Sequence, residues 1–541
     1  MRALRVPSRW IFAIPLALTG AMYARFFSGF WLGDDFGYLR HAWLAAANHR
    51  LWEHTWIQFL RVDPTVVFYR PMMVASAAFN EWIGGDTFAA WFGFNYFVHL
   101  GNTAMVALLS ERLAAACGRD GRIAGIIAAT FFGLCPALAE GVFWVAARED
   151  ACVTLLTLVG FYIWASSPKS TMRAAVLPLL LIIALGFKES AVVFPLQMGL
   201  VALAWPIRLS RAQVLAVVAC GVLVAIYFIV RAHFFGSFWR VYTRPDTLPH
   251  LDELWPDVRS IGDWWKGLTW NRPGGATIYV GLLGSACVLV AAAARGGRGR
   301  LAVALLCACV GIVVATLLNV NGMVASGEGG RITYTPMAWL ALAIGVAGAK
   351  PTLHASPKEI HERYARAGLG LLVCATIAGA WVLQGELRTA RSAQNLVRNI
   401  VNGSREWAVT HPGLTLLMLE EHYGPIVTTR PAQGWLMLPP VQPTPLLHRV
   451  LPTLSAELDA RYDQLSAGLA TRLDKVRPWR LDADEIKRLF VHDTARWPEH
   501  YACWSARTDR IVEFAAPDPS DRTRWTTALR DALGQCATGK L

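Results

Sequence analysis

The sequence predicts an all-α polytopic membrane protein that carries a small extracytoplasmic α/β domain at its C-terminal end. Composition gives the first reason: 55% of the 541 residues are hydrophobic and only 16% are charged. The mean hydropathy of +0.37 is too high for a soluble globular chain of this length. The second reason is repetition of apolar stretches of bilayer length, at 10–30, 88–110, 121–141, 151–166, 172–188, 189–206, 211–231, 275–294, 300–319, 331–348 and 366–384. That makes about eleven transmembrane helices. A third observation sets the tail apart, because polarity and mixed charge take over beyond it, giving a transmembrane region 1–384 and a domain 385–541.

The first apolar stretch lacks a small-residue cleavage site and is expected to stay as a helix rather than leave as a signal peptide. It runs into WLGDDFGYLR at 31–40, where Asp34 and Asp35 follow Gly33 and precede a helix-like run over 36–47. The plain reading of this pair is helix capping, since an Asp side chain accepts from the first free N–H groups. The sharper one makes a carboxylate the general base at the water–lipid boundary, taking a proton from an acceptor hydroxyl.

Basic residues in alternate connections set the orientation. One set holds Arg2, Arg5 and Arg9, Arg112 to Arg122, Arg295 to Arg300 and Lys350 to Arg366, and is cytoplasmic by the positive-inside rule. The N-terminus is then cytoplasmic, and the aspartate loop and C-terminal domain face the periplasm of a bacterial inner membrane. Topology also accounts for most of the formal charge of +13, so no nucleic-acid partner is needed. In the tail, 386–407 and 456–475 read as helices and 414–419 as a strand. Most of the ten cysteines lie in apolar stretches, whereas Cys503 and Cys536 form a candidate disulfide in the polar tail.

The outer-face connections hold many ionisable groups. Arg70 lies in the first loop, and His99 with Asn102 inside the second apolar stretch. Arg148, Glu149 and Asp150 join the third and fourth, and Lys188 with Glu189 the fifth and sixth. Arg231 ends the seventh, while Glu328, Arg331 and Tyr334 open the tenth. Singly, each reads as a snorkelling cation or a neutralising neighbour pair, Arg148 with Glu149 or Lys188 with Glu189. Together they suggest a functional cavity, because charge at membrane depth is costly. Cations beside two aspartates suit transfer from a lipid phosphate, holding the departing phosphate while a carboxylate activates the hydroxyl.

The order of these residues resembles the GT-C superfamily of membrane glycosyltransferases that use polyprenyl-phosphate sugars. The Asp34-Asp35 pair is similar to the first-loop acidic motif of that superfamily. VHLGN at 98–102, WVAARED at 144–150, FKES at 187–190 and GRITYTP at 330–336 resemble blocks of one branch. It comprises the protein O-mannosyltransferases with tetratricopeptide repeats and their bacterial relatives, whose blocks read N-x-x-x-H-x-x-N, W-x-x-x-R-x-D, S-K-E and E-R-Y-x-Y-x-P. The chain departs from the pattern at 329–332, GGRI, and lacks the repeats. The resemblance implies a GT-C type fold and an inverting hexosyltransferase. It makes Asp34 or Asp35 the base and sets Arg148, Lys188 and Arg331, with Arg70 and Arg231 as weaker candidates, near the donor phosphate. His99, Asn102, Asp150, Glu189 and Tyr334 would support the site. Partners would be a polyprenyl-phosphate-linked sugar, membrane lipid and a glycan, lipid or protein acceptor. No cofactor is fixed by the sequence; a divalent metal stays open, although one or two carboxylates make no complete cage. The alternatives are a lipid-linked glycan transporter or flippase and an O-antigen-type ligase.

Overall fold

The computed structural model describes residues 12–32, 49–60, 69–85, 87–166, 171–205, 208–235, 299–317, 330–350 and 359–410, with scattered positions between 35 and 46, Gly284, and strands at 422–423, 426–427, 500–505 and 510–515. Every apolar stretch expected from the sequence falls on a described helix except that at 275–294, which apart from Gly284 lies outside the described residues. Also outside them are Asp34, Glu328, Cys536 and the tail elements expected at 414–419 and 456–475.

Helix α1 spans Ala13–Tyr23 and tightens into a 3-10 turn over Ala24–Ser28. After α2 (Leu51–Leu60), α3 (Pro71–Gly84) starts on a proline, whose missing N–H would be unpaired in the first turn anyway. Helix α4 is the long Phe88–Ala116, followed by α5 (Gly121–Gly133), whose N-terminus is capped by Asp120 accepting from the N–H groups of Arg122 and Ile123.

The chain then breaks inside an apolar stretch. Pro136 cannot donate to the preceding turn and forces Cys135 into extended backbone, φ −70° and ψ 118°. The short α6 (Ala139–Phe143) therefore leaves α5 at 55°. A 3-10 turn over Val145–Ala147 leads into α7 (Arg148–Ser166). Next come α8 (Thr171–Phe187), one extended residue at Lys188, a 3-10 turn over Glu189–Val193 and α9 (Phe194–Ala204). Then follow α10 (Arg211–Phe235), α11 (Arg300–Leu317), α12 (Tyr334–Gly348) and α13 (Glu359–Thr410).

The core lies among α4, α5, α7 and α12, which pack on one another. Helix α12 is apolar all round and buried from Tyr334 to Ala347, as a central helix must be. Helix α10 is the opposite, with Leu215, Ile226 and Ile229 exposed, so its apolar side meets lipid. Among the described residues, α10 and the stretch 367–403 of α13 are each long and apolar enough to cross a bilayer unbroken, and the bent α5–α6 pair reaches that length when its two parts are counted together. The chain is a helical membrane protein.

By internal contacts it divides into two units. The first comprises Met1–Ser28, Ala42–Met323 and Gly327–Arg388, the second Gly29–His41, Val324–Ser326 and Thr389–Leu541. The aspartate loop therefore groups with the tail. Helix α13 contributes to both units, continuing through the polar run expected to be separate; a lone Gly385 costs only about 1 kcal/mol and does not end a helix. Within the second unit Arg398 donates to the Gly29 carbonyl at 2.6 Å and covers the Phe30 ring. Two antiparallel strand pairs, His422–Tyr423 with Ile426–Val427 and His500–Ser505 with Arg510–Ala515, are described in the tail. Cys503 lies in the second pair.

Candidate functional site

Irregular backbone inside a bilayer must be hydrogen-bonded within the protein, and the break at 134–147 meets this through α4. Asn95 donates its amide to the Trp144 carbonyl at 3.0 Å and lies 3.4 Å from those of Val142 and Val145. His99 and Asn102 follow one and two turns later on the same face. His99 Nδ1 shares a 2.6 Å hydrogen bond with the Tyr334 hydroxyl, and Asn102 donates to the Ala151 carbonyl at 2.9 Å and to Tyr334 at 3.4 Å. This polar row ties the start of α12 to α4 and α7.

The break delivers three consecutive charged residues to the first turn of α7, where the helix dipole favours the acidic pair. Successive helical positions diverge by about 100°, so the three do not pair with one another. Arg148 turns toward α3 and α4, fully buried, with Asn80 as hydrogen-bond acceptor, the Val145 carbonyl 3.1 Å from Nε and the Phe94 ring 4.8 Å from its guanidinium carbon. Glu149 and Asp150 point in other directions, Glu149 toward Arg70 before α3 and both toward Lys188.

There they meet cations from two other segments. Arg70, the residue before Pro71, grips Glu189 through Nε at 3.1 Å and Nη2 at 2.7 Å, and reaches Glu149 with Nη1 at 2.7 Å. Lys188 bridges Glu149 at 3.1 Å and Asp150 at 2.6 Å. The result is a chain of alternating charge, Asp150–Lys188–Glu149–Arg70–Glu189, whose side chains are between 5% and 19% exposed. The neighbour pairs expected from sequence, Arg148 with Glu149 and Lys188 with Glu189, are replaced by pairs between helices.

Two further cations border this chain. Arg231 hydrogen-bonds Tyr227 one turn earlier in α10, in a setting that Glu189 and Arg70 also influence electrostatically. Arg331, within electrostatic range of Asp150 and Lys188, is 24% exposed, more than Arg70 or Lys188. Its backbone N–H donates to Glu140 Oε2 at 2.9 Å, its Nη1 lies 3.4 Å from Glu140 Oε1, and the Trp144 ring sits 4.3 Å from its guanidinium carbon.

The structure thus brings together Arg70, Asp150, Lys188, Glu189, Arg231 and Arg331, with His99, Asn102 and Tyr334 as a hydrogen-bonded group behind them, and turns Arg148 away. In the second unit, Asp35 is buried and its Oδ2 accepts from the Leu32 N–H at 2.9 Å, a local cap. Among the described residues no group of three His, Cys, Asp or Glu side chains is arranged to hold a metal ion. Sequence reasoning missed Glu140 and Asn95. A carboxylate one residue from the end of an apolar stretch was the signal for the first, and the regular spacing to His99 and Asn102 for the second.

No protein-family model matches the sequence, and no curated protein matches it significantly. Solved structures that are similar to this chain include two of low identity. The arabinofuranosyltransferase AftD from Mycobacteria aligns at 17% identity and a TM-score of 0.44, covering 76% of this chain and 29% of that one. ArnT from Cupriavidus metallidurans, solved with bound undecaprenyl phosphate, aligns at 14% identity and a TM-score of 0.39, covering 78% of this chain and 83% of that one. This chain spans under a third of the AftD length.

Proposed function

We propose that the protein is an inverting glycosyltransferase that moves a sugar from a polyprenyl-phosphate donor to an acceptor hydroxyl at the outer face of the inner membrane. One observation carries the reading: Arg70 and Lys188, from two segments, pair with Glu149, Asp150 and Glu189 beside an apolar helical bundle, with Arg331, itself paired to Glu140, within electrostatic range of Lys188 and Asp150. Buried charge of this density is costly and characteristically serves a charged substrate. A lipid phosphate fits, because its chain occupies the bilayer while its headgroup needs cations at the boundary.

In the proposed reaction a first-loop aspartate takes the proton of the acceptor hydroxyl. The oxygen bonds to the anomeric carbon as the bond from that carbon to the phosphate oxygen breaks, inverting configuration. The phosphate leaves with the electron pair, and Lys188 and Arg331 stabilise its charge. Arg70 keeps Glu149 and Glu189 in place, and Arg148 braces the start of α7. Asp34 is the better base, since Asp35 commits an oxygen to the Leu32 N–H. The tail is proposed as the periplasmic domain that selects the acceptor.

The buried alternating chain also supports a second reading, a proton-coupled carrier of lipid-linked glycan. Mass spectrometry of envelope glycans and glycoproteins separates the two, comparing wild-type, null and Asp34→Asn cells at matched abundance. Transfer requires one sugar to vanish in the null and the Asn variant while its polyprenyl-phosphate donor accumulates on the outer face. A donor trapped on the cytoplasmic face instead indicates a carrier, and full activity of the Asn variant removes the base assignment.

A further inference from the structure

Glu140 belongs to none of the roles assigned so far, yet it is a buried carboxylate in the five-residue helix α6, 4% exposed. Its shorter contact is with backbone: Oε2 accepts the Arg331 N–H at 2.9 Å, against 3.4 Å from Oε1 to Nη1. That N–H lies in the 3-10 turn Gly330–Thr333 leading into α12, a position whose donor has no partner within the helix. Glu140 therefore caps the 3-10 turn that leads into α12 from an element distant in sequence. Other contacts register the same two segments. Thr333 Oγ1 donates to the Ala137 carbonyl at 3.4 Å, and the Tyr334 ring lies so close to Gly141 that a Cβ there would come within 2.7 Å of it. With the Trp144 ring against its guanidinium, Arg331 is fixed from the backbone side and from the ring side.

We infer that Glu140 is a positioning residue, whose carboxylate oxygen, as an acceptor for the Arg331 backbone N–H, sets the Arg331 guanidinium for contact with a lipid phosphate. The inference rests on the donor-phosphate reading above and adds a residue to it. It also makes a distinction that charge alone does not. If Glu140 acted as a competing anion, neutralising it would strengthen phosphate binding; as an acceptor, it is replaceable by a neutral amide oxygen.

The experiment measures binding of undecaprenyl phosphate and of undecaprenol to the purified full-length protein in nanodiscs, with thermal unfolding recorded for each variant. Glu140→Gln keeps the acceptor and is expected to retain the preference for the phosphate lipid within roughly threefold, whereas Glu140→Ala loses roughly tenfold in phosphate-lipid affinity alone. Glu140→Met fills the volume without a strong acceptor and stands in where the alanine variant does not fold; the same loss is expected. Equal losses for both lipids mean a merely structural role and overturn the inference. A preference unchanged in the Ala and Met variants, or one raised in the Gln variant, overturns it too. Wild-type protein with no preference for the phosphate lipid overturns the donor-phosphate reading itself, and this inference with it.

Discussion

Arg70 serves two carboxylates on different segments with the planar fork of its guanidinium. A lysine ammonium does not reproduce that geometry. Arg70→Lys is expected to lower transfer at least about tenfold with a loss of roughly 1–3 kcal/mol in stability, while Arg70→Met, which leaves Glu189 and Glu149 short of a cation, costs roughly 3–5 kcal/mol. Unfolding in detergent checks both, and partial recovery is expected on adding Glu189→Gln to the Met variant. The two aspartates should separate equally clearly. Asp34→Asn is expected to reduce kcat by about 10²–10⁴, the contribution of a positioned base. Asp35→Asn keeps an oxygen for the Leu32 N–H and should stay within about tenfold of wild type. Initial rates at matched protein concentration decide, and equal losses would undo the assignment. The identities of the ionisable residues were legible in the sequence because charge at the ends of apolar stretches stands out. Their partners were not. Arg148 lies beside Glu149, and Lys188 beside Glu189, only along the chain; pairing follows from helix rotation and from which helices meet.

The break between α5 and α7 is the element on which the site depends, and it rests on Asn95. Replacing Asn95 with Leu removes one of two donors to the Trp144 carbonyl, which keeps the Ala147 N–H at 3.1 Å, a loss worth about 0.5–1.5 kcal/mol. The expected outcome is a lowered midpoint of thermal unfolding together with weaker undecaprenyl phosphate binding, since Glu140, Trp144 and Glu149 all hang from this segment; a change in the midpoint alone would show that the break tolerates the loss. The helices were legible from apolar stretches of the right length. The break itself was not inferred from that pattern, because 121–141 reads as one apolar stretch with charge only near its ends, at Arg122 and Glu140; its local cause is Pro136 acting on Cys135. The continuity of α13 was hidden for a related reason. The change from apolar to polar at 384 marks a change of surroundings, and no helix-breaking residue accompanies it.

For the molecule as a whole, the grouping of Gly29–His41 with Thr389–Leu541 bears on how the tail is to be tested. Truncation after 384 removes Arg398 and with it the hydrogen bond to the Gly29 carbonyl, so it is expected to abolish transfer by disturbing the aspartate loop. Truncation after 410 keeps that contact and is expected to leave transfer to a simple soluble acceptor while changing acceptor choice. Assays of both truncations against two acceptors check this, and unchanged selectivity in the shorter tail removes the proposed role. The location of Glu140 has a further consequence, in time rather than in space. Arg331 is made 191 residues after Glu140, which at about 5–20 residues per second is roughly 10–40 s of synthesis. Throughout that interval the carboxylate sits in a newly inserted segment without Arg331. Nascent chains that stop before 331 present this acid to the insertion machinery without its Arg331 contact and should be degraded faster than chains that stop just after it.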